Sequence, residues 1–148
     1  MEKKPLLSIV SPIFNEEECI IEFLNRVEST AKKLPCDYEI ILVNDNSTDS
    51  TQEKVSNICK KNYKIKLINL SKNFGHQPAL LCGLINSKGD YIISLDSDLQ
   101  DPPELISSIY DELTIKKFDV VNTKRVSRAG ENFLKKLLIN IFYFISSF

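Results

Sequence analysis

The sequence predicts an α/β fold, a mostly parallel sheet flanked by helices. Three observations predict it. Short apolar, β-leaning runs alternate with segments whose apolar residues recur at steps of three and four. Each apolar run stops at Asn, Asp, Ser or Pro, residues that end strands and cap helices. The chain has 148 residues, enough for one domain with a real core, and shows no internal repeat, low-complexity tract or linker.

Taken in order, Leu6 to Val10 reads as a first strand, halted by Pro12. Asn15 and the acids Glu16, Glu17 and Glu18 lead into a helix with Ile20, Leu24, Val27, Ala31 and Leu34 on its apolar face. Acids at its start and Lys32-Lys33 at its end suit the helix dipole. Tyr38 to Val43 is a buried strand that runs into Asn44-Asp45-Asn46-Ser47-Thr48-Asp49, dense in turn formers and caps. A weaker helix follows, with Val55, Ile58 and Cys59 inward. Ile65 to Leu70 is a third strand, and the loop from Ser71 to Gln77 leads to a helix around Pro78 to Ile85, closed by Gly89. Tyr91 to Leu95 is a fourth strand. Pro102-Pro103-Glu104 opens another helix, since Pro is tolerated in a first turn. Phe118 to Asn122 reads as a fifth strand, and from Glu131 the pattern is helical and very apolar.

Composition is 43% apolar and 26% charged with net charge −1, which gives no argument for nucleic acid as a partner. The charge is unevenly placed. Lys116, Lys117, Lys124, Arg125, Arg128, Lys135 and Lys136 face only Asp119 and Glu131, so the tail is basic. A basic tail suits phosphates or an anionic membrane surface, and equally a solvated helix face. Cys19, Cys36, Cys59 and Cys82 form no C-x-x-C pair, so reduced thiols are expected rather than zinc. The N-terminus makes a poor signal peptide, and no stretch reaches the ~18–20 apolar residues that span a bilayer.

In parallel α/β sheets, ligands bind beyond the carboxyl ends of the strands. Those ends carry Pro12, Asn15 and Glu16, then Asn44 and Asp45, then Lys72 and Asn73, then Asp96-Ser97-Asp98. Taken alone, Asp96-Ser97-Asp98 reads as a solvated turn at a strand end. With the other polar strand ends beside it, two mutually repelling carboxylates at i and i+2 are best reconciled by a hard divalent cation, Mg2+ or Mn2+, which keeps positions for phosphate oxygens. Neither G-x-G-x-x-G nor G-x-x-x-x-G-K-[ST] is present, which disfavours dinucleotide and P-loop chemistry. Asp45 can accept from a base N–H or a ribose hydroxyl, or cap the next helix, where Ser47, Thr48 and Asp49 compete. Glu16 is equally a ribose ligand or a helix-dipole acid. His76, the sole histidine, reads as a solvated loop residue. Arg125 and Arg128 are phosphate clamps or ordinary loop charges.

Taken together, these residues resemble family 2 glycosyltransferases with a GT-A fold. Pro12-Ile13-Phe14-Asn15-Glu16 resembles P-x-[YF]-N-E, and the stretch from Val43 to Thr51 resembles V-[DN]-D-G-S-x-D-x-T. Asn73-Phe74-Gly75 with Ala79 and Gly83 resembles an N-x-G…A…G segment. The stretch from Asp96 to Glu104 is similar to D-[AS]-D-L-Q-D-P-P-E, the form found in the branch that acts on polyprenyl phosphates, dolichol-phosphate mannosyltransferase-like and bactoprenol glucosyltransferase-like. Arg125, Arg128, Gly130, Glu131 and Phe133 resemble that branch's basic loop before a juxtamembrane helix.

The resemblance implies a nucleotide-sugar-binding domain over residues 1–125, and a basic loop with an amphipathic, truncated helix over 126–148. It implies that Pro12, Asn15, Glu16, Asp45, Ser47 and Asn73 hold the nucleotide of a UDP- or GDP-sugar, and that Asp96 and Asp98 carry Mg2+ or Mn2+ with the diphosphate. Arg125 and Arg128 then face a polyprenyl phosphate, and transfer to it is inverting. A place at the cytoplasmic face of a membrane follows. Asn46 stands where the family has Gly; Asn tolerates left-handed backbone, so the turn is expected to survive. Family enzymes of this branch are much longer. Leu134, Leu137, Leu138, Ile141, Phe142, Phe144 and Ile145 are therefore expected to form an exposed apolar patch that drives association of copies or adhesion to membrane. Two other readings stand beside the enzyme. One is a nucleotide-sugar-binding fragment without turnover. The other is a phosphorylated signalling receiver, which also clusters strand-end acids and needs a lysine such as Lys124, but whose acids belong on its first and third strands.

Overall fold

The computed structural model describes residues 4–124. Four strands alternate there with four helices: β1 (Leu6–Ile13), α1 (Ile20–Ala31), β2 (Asp37–Asn44), α2 (Thr51–Cys59), β3 (Ile65–Asn69), α3 (His76–Asn86), β4 (Tyr91–Ser94) and α4 (Leu105–Thr114). The strands form one sheet in the order β3-β2-β1-β4, and every neighbouring pair is parallel. The expected α/β architecture is the one observed.

β1 and β2 are buried along almost their whole length, which is why both read as near-continuous apolar runs. The pleat still sorts their side chains. Leu7, Ile9, Ile13, Ile40 and Leu42 join a large core with Phe23 and Val27 of α1, Val55 of α2 and Ile106 and Tyr110 of α4. Val10, Ile41 and Val43 face the opposite way and pack on Ala79 of α3. Helices α1, α2 and α4 thus cover one face of the sheet and α3 the other. Each fully buried side chain of this size stabilises the fold by about 1.5–3 kcal/mol.

The amino-terminal end of the sheet is pinned by a buried acid. Glu39 is 5% exposed. Its carboxylate accepts hydrogen bonds from Ser8 Oγ at 2.6 Å, from the Lys88 backbone N–H at 2.8 Å and from Lys66 Nζ. Burial alone would raise its pKa; the bonds from Lys66, Ser8 and Lys88 outweigh burial and lower it.

Two expectations change. β1 does not stop before Pro12 but runs on to Ile13. β4 pairs with β1 only as far as Val10 opposite Ser94, so Pro12 lies past the last rung on that side and removes no ladder donor. The expected fifth strand at Phe118 to Asn122 is absent. Residues Asp119 to Thr123 run beside β4 across a cavity of about 520 Å³ shared with Leu84, Ile92 and Leu113, and Val120 is 75% exposed. A β-branched pair makes a strand only when an edge is within hydrogen-bonding reach, and here a gap separates it from the edge. The expected helix after Glu131 lies outside the described residues.

Gly83 sets how closely α3 approaches the sheet. A Cβ at this position would stand 2.4 Å from Val10 Cγ1 and 3.1 Å from Val43 Cγ2. Alanine gains up to ~1 kcal/mol in helix propensity over glycine, whereas overpacking against two stiff valines costs about 1–3 kcal/mol. Gly83→Ala is therefore expected to lower the urea midpoint, and a rise in that midpoint would show that α3 can move off the sheet freely.

Candidate functional site

Because all four strands are parallel, their carboxyl ends meet at one rim. β1 brings Pro12, Ile13, Phe14 and Glu16; β2 brings Asp45; the turn into α3 brings Asn73, Gly75 and His76; the loop after β4 brings Asp96, Ser97 and Asp98. Together they line a cavity of about 390 Å³. Six expected site residues are thus gathered in one place: Pro12, Glu16, Asp45, Asn73, Asp96 and Asp98. Asn15 and Ser47 are not among the lining residues. Arg125 and Arg128 lie outside the described residues.

Asn15 and Ser47 instead lock two loops together. The Asn15 backbone N–H donates to Ser47 Oγ at 3.0 Å, and Asn15 Oδ1 accepts the Thr48 backbone N–H at 2.8 Å. The Ser47 backbone N–H in turn donates to Asn44 Oδ1 at 3.0 Å. Beside them, the Glu16 N–H donates to Thr51 Oγ1 at 2.8 Å, and Glu17 N–H donates to Asp49 Oδ2 at 3.1 Å. Glu17 accepts from the Ser50 hydroxyl and backbone N–H, and these bonds hold its pKa below the usual carboxylate range. Asn15 (φ 55°) and Asn46 (φ 61°) both adopt left-handed backbone, which Asn tolerates better than most residues. The turn expected to survive the loss of glycine at position 46 does so.

Asp45 is 3% exposed, and both its oxygens are engaged. Oδ1 accepts the Phe74 backbone N–H at 2.7 Å and Oδ2 accepts the Gly75 N–H at 2.8 Å. Gly75 has φ 93°, a conformation open to glycine, and it delivers the chain straight into α3. His76, the first residue of α3, then reaches across the rim, its Nε2 3.0 Å from Asp96 Oδ1. The solvated loop residue of the sequence reading is in fact a wall of the cavity. The available signal was its place: it directly follows a glycine in the loop that leaves the carboxyl end of β3.

Asp96 and Asp98 are exposed on either side of Ser97, which is 3% exposed and donates to the Pro12 carbonyl at 3.3 Å. Asp98 Oδ1 accepts the Gln100 N–H at 2.9 Å across Leu99, whose φ of 60° is strained for a bulky residue. Among the described residues, no group of three or more His, Cys, Asp or Glu side chains is placed to hold a metal ion. Two exposed hard oxygen donors without a cage fit Mg2+ or Mn2+, which complete their shells with water and phosphate, and do not fit structural zinc. Cys19 lies close by, its Sγ 2.9 Å from Glu16 Oε2. Burial first, then the Glu16 carboxylate, push its pKa up to about 12, so it stays a neutral thiol.

An ion pair holds the far side of the acidic loop. Arg26 of α1 grips Glu104 with two bonds, Nε to Oε1 at 2.9 Å and Nη2 to Oε2 at 2.7 Å. The Arg26 hydrogen bond is the main cause that depresses the Glu104 pKa to about 2. A depressed carboxylate pKa adds stability above the unfolded value of about 4.3, lost as pH falls toward the folded value. The difference in melting temperature between the native chain and Arg26→Gln is therefore expected to be full at pH 7, to shrink below pH ~4 and to disappear only below the folded value of about 2. Circular dichroism melts across that range check it; a difference independent of pH would contradict it.

Comparison with known proteins bears on what this rim belongs to. The family model described as Glycosyl transferase family 2 matches residues 8–148. An uncharacterized glycosyltransferase of Synechocystis is 40% identical over 137 residues, covering 93% of this chain and 43% of that protein. The undecaprenyl-phosphate 4-deoxy-4-formamido-L-arabinose transferase of Pseudomonas fluorescens is 40% identical over 125 residues, covering 82% of this chain and 36% of that protein. The chain spans less than half the length of these curated relatives. Among solved structures, a mannosyltransferase from Pyrobaculum calidifontis in complex with GDP-Man and Mn2+ superposes with a TM-score of 0.65 at 21% identity, over 75% of this chain and 33% of that one. That likeness establishes a shared GT-A fold. The extent of the family match shows that the chain belongs to glycosyl transferase family 2.

Proposed function

We propose that this chain is the donor-binding part of an enzyme that moves a sugar from a UDP- or GDP-sugar to a polyprenyl phosphate. The observation that carries this reading is the convergence of Pro12, Glu16, Asp45, Asn73, Asp96 and Asp98 on one cavity. The Pseudomonas relative, named for transfer involving undecaprenyl phosphate, supports the acceptor class, and the mannosyltransferase solved with GDP-Man and Mn2+ supports the donor class and the metal.

In this reading, Pro12 and Glu16 flank the nucleoside at the end of β1. Each Asp45 oxygen already takes one backbone N–H and keeps a second lone pair for a base N–H or a ribose hydroxyl. Asn15 and Ser47 serve the nucleotide by fixing the loops that hold Glu16 and Asp45. Asn73 closes the rim from the β3 side. Asp96 and Asp98 hold Mg2+ or Mn2+, which when bound neutralises the diphosphate and assists its departure. An acceptor phosphate oxygen attacks the anomeric carbon opposite the departing diphosphate, and configuration inverts. That oxygen is already ionised at neutral pH, so the step needs little help from a base. Arg125 and Arg128 pair with the acceptor phosphate. The apolar segment from Glu131 to Phe148 rests on the cytoplasmic face of a membrane or joins copies of the chain. Among the described residues, no helix is long and apolar enough to cross a membrane. Donor binding without transfer is the second reading.

Isothermal calorimetry with UDP- and GDP-sugars separates these chemistries. Mn2+ is expected to tighten donor binding by about tenfold or more, about 1.4 kcal/mol, and Asp98→Ala to abolish that gain. Binding of equal strength in EDTA would contradict the metal's role. Transfer of labelled sugar to a polyprenyl phosphate selects the enzyme; donor binding without transfer selects the binding module.

Sedimentation with anionic vesicles tests the tail. The chain is expected to pellet with them, and Arg125→Ala with Arg128→Ala to weaken this most at low salt, where charge is least screened. A chain that stays monomeric and in the supernatant at every salt concentration argues against membrane adhesion.

A further inference from the structure

The hydrogen bond between His76 and Asp96 belongs to none of the roles above. His76 is the sole histidine, and its side chain and that of Asp96 are each 52% exposed at the cavity mouth. A carboxylate only accepts, so Nε2 carries the proton and donates to Oδ1. Oδ2 makes no hydrogen bond among the described residues. One oxygen is therefore fixed and the other left for a cation.

His76 is itself held in place. The buried Asp45 carboxylate fixes the N–H groups of Phe74 and Gly75, and His76 follows directly as the first residue of α3. The ring also divides space: His76, Asp96 and Pro12 border both the 390 Å³ cavity and a second cavity of about 190 Å³. A freely rotating Asp96 could turn toward either. With Oδ1 tied, its rotamer is set before any ligand arrives.

We propose that His76 is a positioning residue for Asp96, orienting this carboxylate so that Asp96 and Asp98 present a ready pair of oxygens to a divalent cation. The proposal rests on the reading that Asp96 and Asp98 hold Mg2+ or Mn2+. It assigns His76 no contact with the donor and no proton transfer. Hydrogen-bonded partners of metal-ligating side chains typically change metal affinity by about 10–100-fold when removed.

The test is Mn2+ binding by the whole chain, read by water-proton relaxation enhancement alone and with UDP or GDP present, so that no turnover is needed. His76→Ala is expected to weaken Mn2+ about 10–100-fold. His76→Gln, whose amide N–H can reach the same carboxylate oxygen, is expected to recover most of that loss, which a merely space-filling role would not predict. Thermal melts of both variants should match the native chain, because the ring is half-exposed. Unchanged or tighter Mn2+ binding in His76→Ala, or a Gln variant as weak as the Ala variant, overturns the proposal. Asp98→Ala distinguishes the two levels. If it abolishes Mn2+ binding while His76→Ala does nothing, the metal site stands and the positioning role falls. If the native chain binds no Mn2+, or Asp98→Ala leaves binding intact, the metal reading fails and takes this proposal with it.

Discussion

The buried Asp45 carboxylate is the joint on which the rim is assembled. It follows directly on β2 at the middle of the sheet, with 3% of its surface exposed, and offers one oxygen to each of two successive backbone N–H groups, those of Phe74 and Gly75. A charge this deep is costly unless hydrogen-bonded, so the loop before α3 cannot leave without exposing the acid or stranding it. Through Gly75 the constraint passes to His76, and through His76 to Asp96. Two acids of the cavity, Asp45 and Asp96, are thereby linked through a short run of backbone and the His76 ring.

A second tie acts on the other wall. The loops after β1 and β2 exchange hydrogen bonds through Asn15, Ser47 and Thr48, and through Glu17, Asp49 and Ser50. Two of the backbone conformations there are left-handed, at Asn15 and Asn46, and a third, at Leu99, sits next to Asp98. Strained backbone persists only where its surroundings over-determine it, and three of the four such non-glycine residues among the described ones adjoin one cavity, Lys117 being the fourth. The Arg26–Glu104 fork braces the acidic loop from α1. The rim is thus preorganised by bonds within the protein, before any ligand supplies its own.

Much of this was legible in the residues. The buried runs of β1 and β2 declare a parallel sheet because both faces must be covered. Asp96 and Asp98 were legible as rim residues because they follow the apolar run of β4. What could not be read was which loop meets which. Asn15 and Ser47 have the polarity of ligand groups, yet their atoms are used between loops, a pairing 32 residues apart in sequence. His76 looked solvated because its partner lies 20 residues downstream and only the sheet order brings them together. The run from Phe118 to Asn122 has strand composition, but composition does not supply an edge within bonding distance. Pro12 ended a strand on paper and not in space, because its missing N–H falls beyond the last rung of β4.

A crystal structure with Mn2+ and a nucleoside diphosphate, with the metal located by its anomalous signal, tests the whole arrangement in one experiment. The account predicts the anomalous peak against Asp96 and Asp98, the diphosphate beside it, and the nucleoside over Pro12, Glu16 and Asp45. A metal peak away from both aspartates, or a nucleoside bound at another face of the sheet, would contradict it.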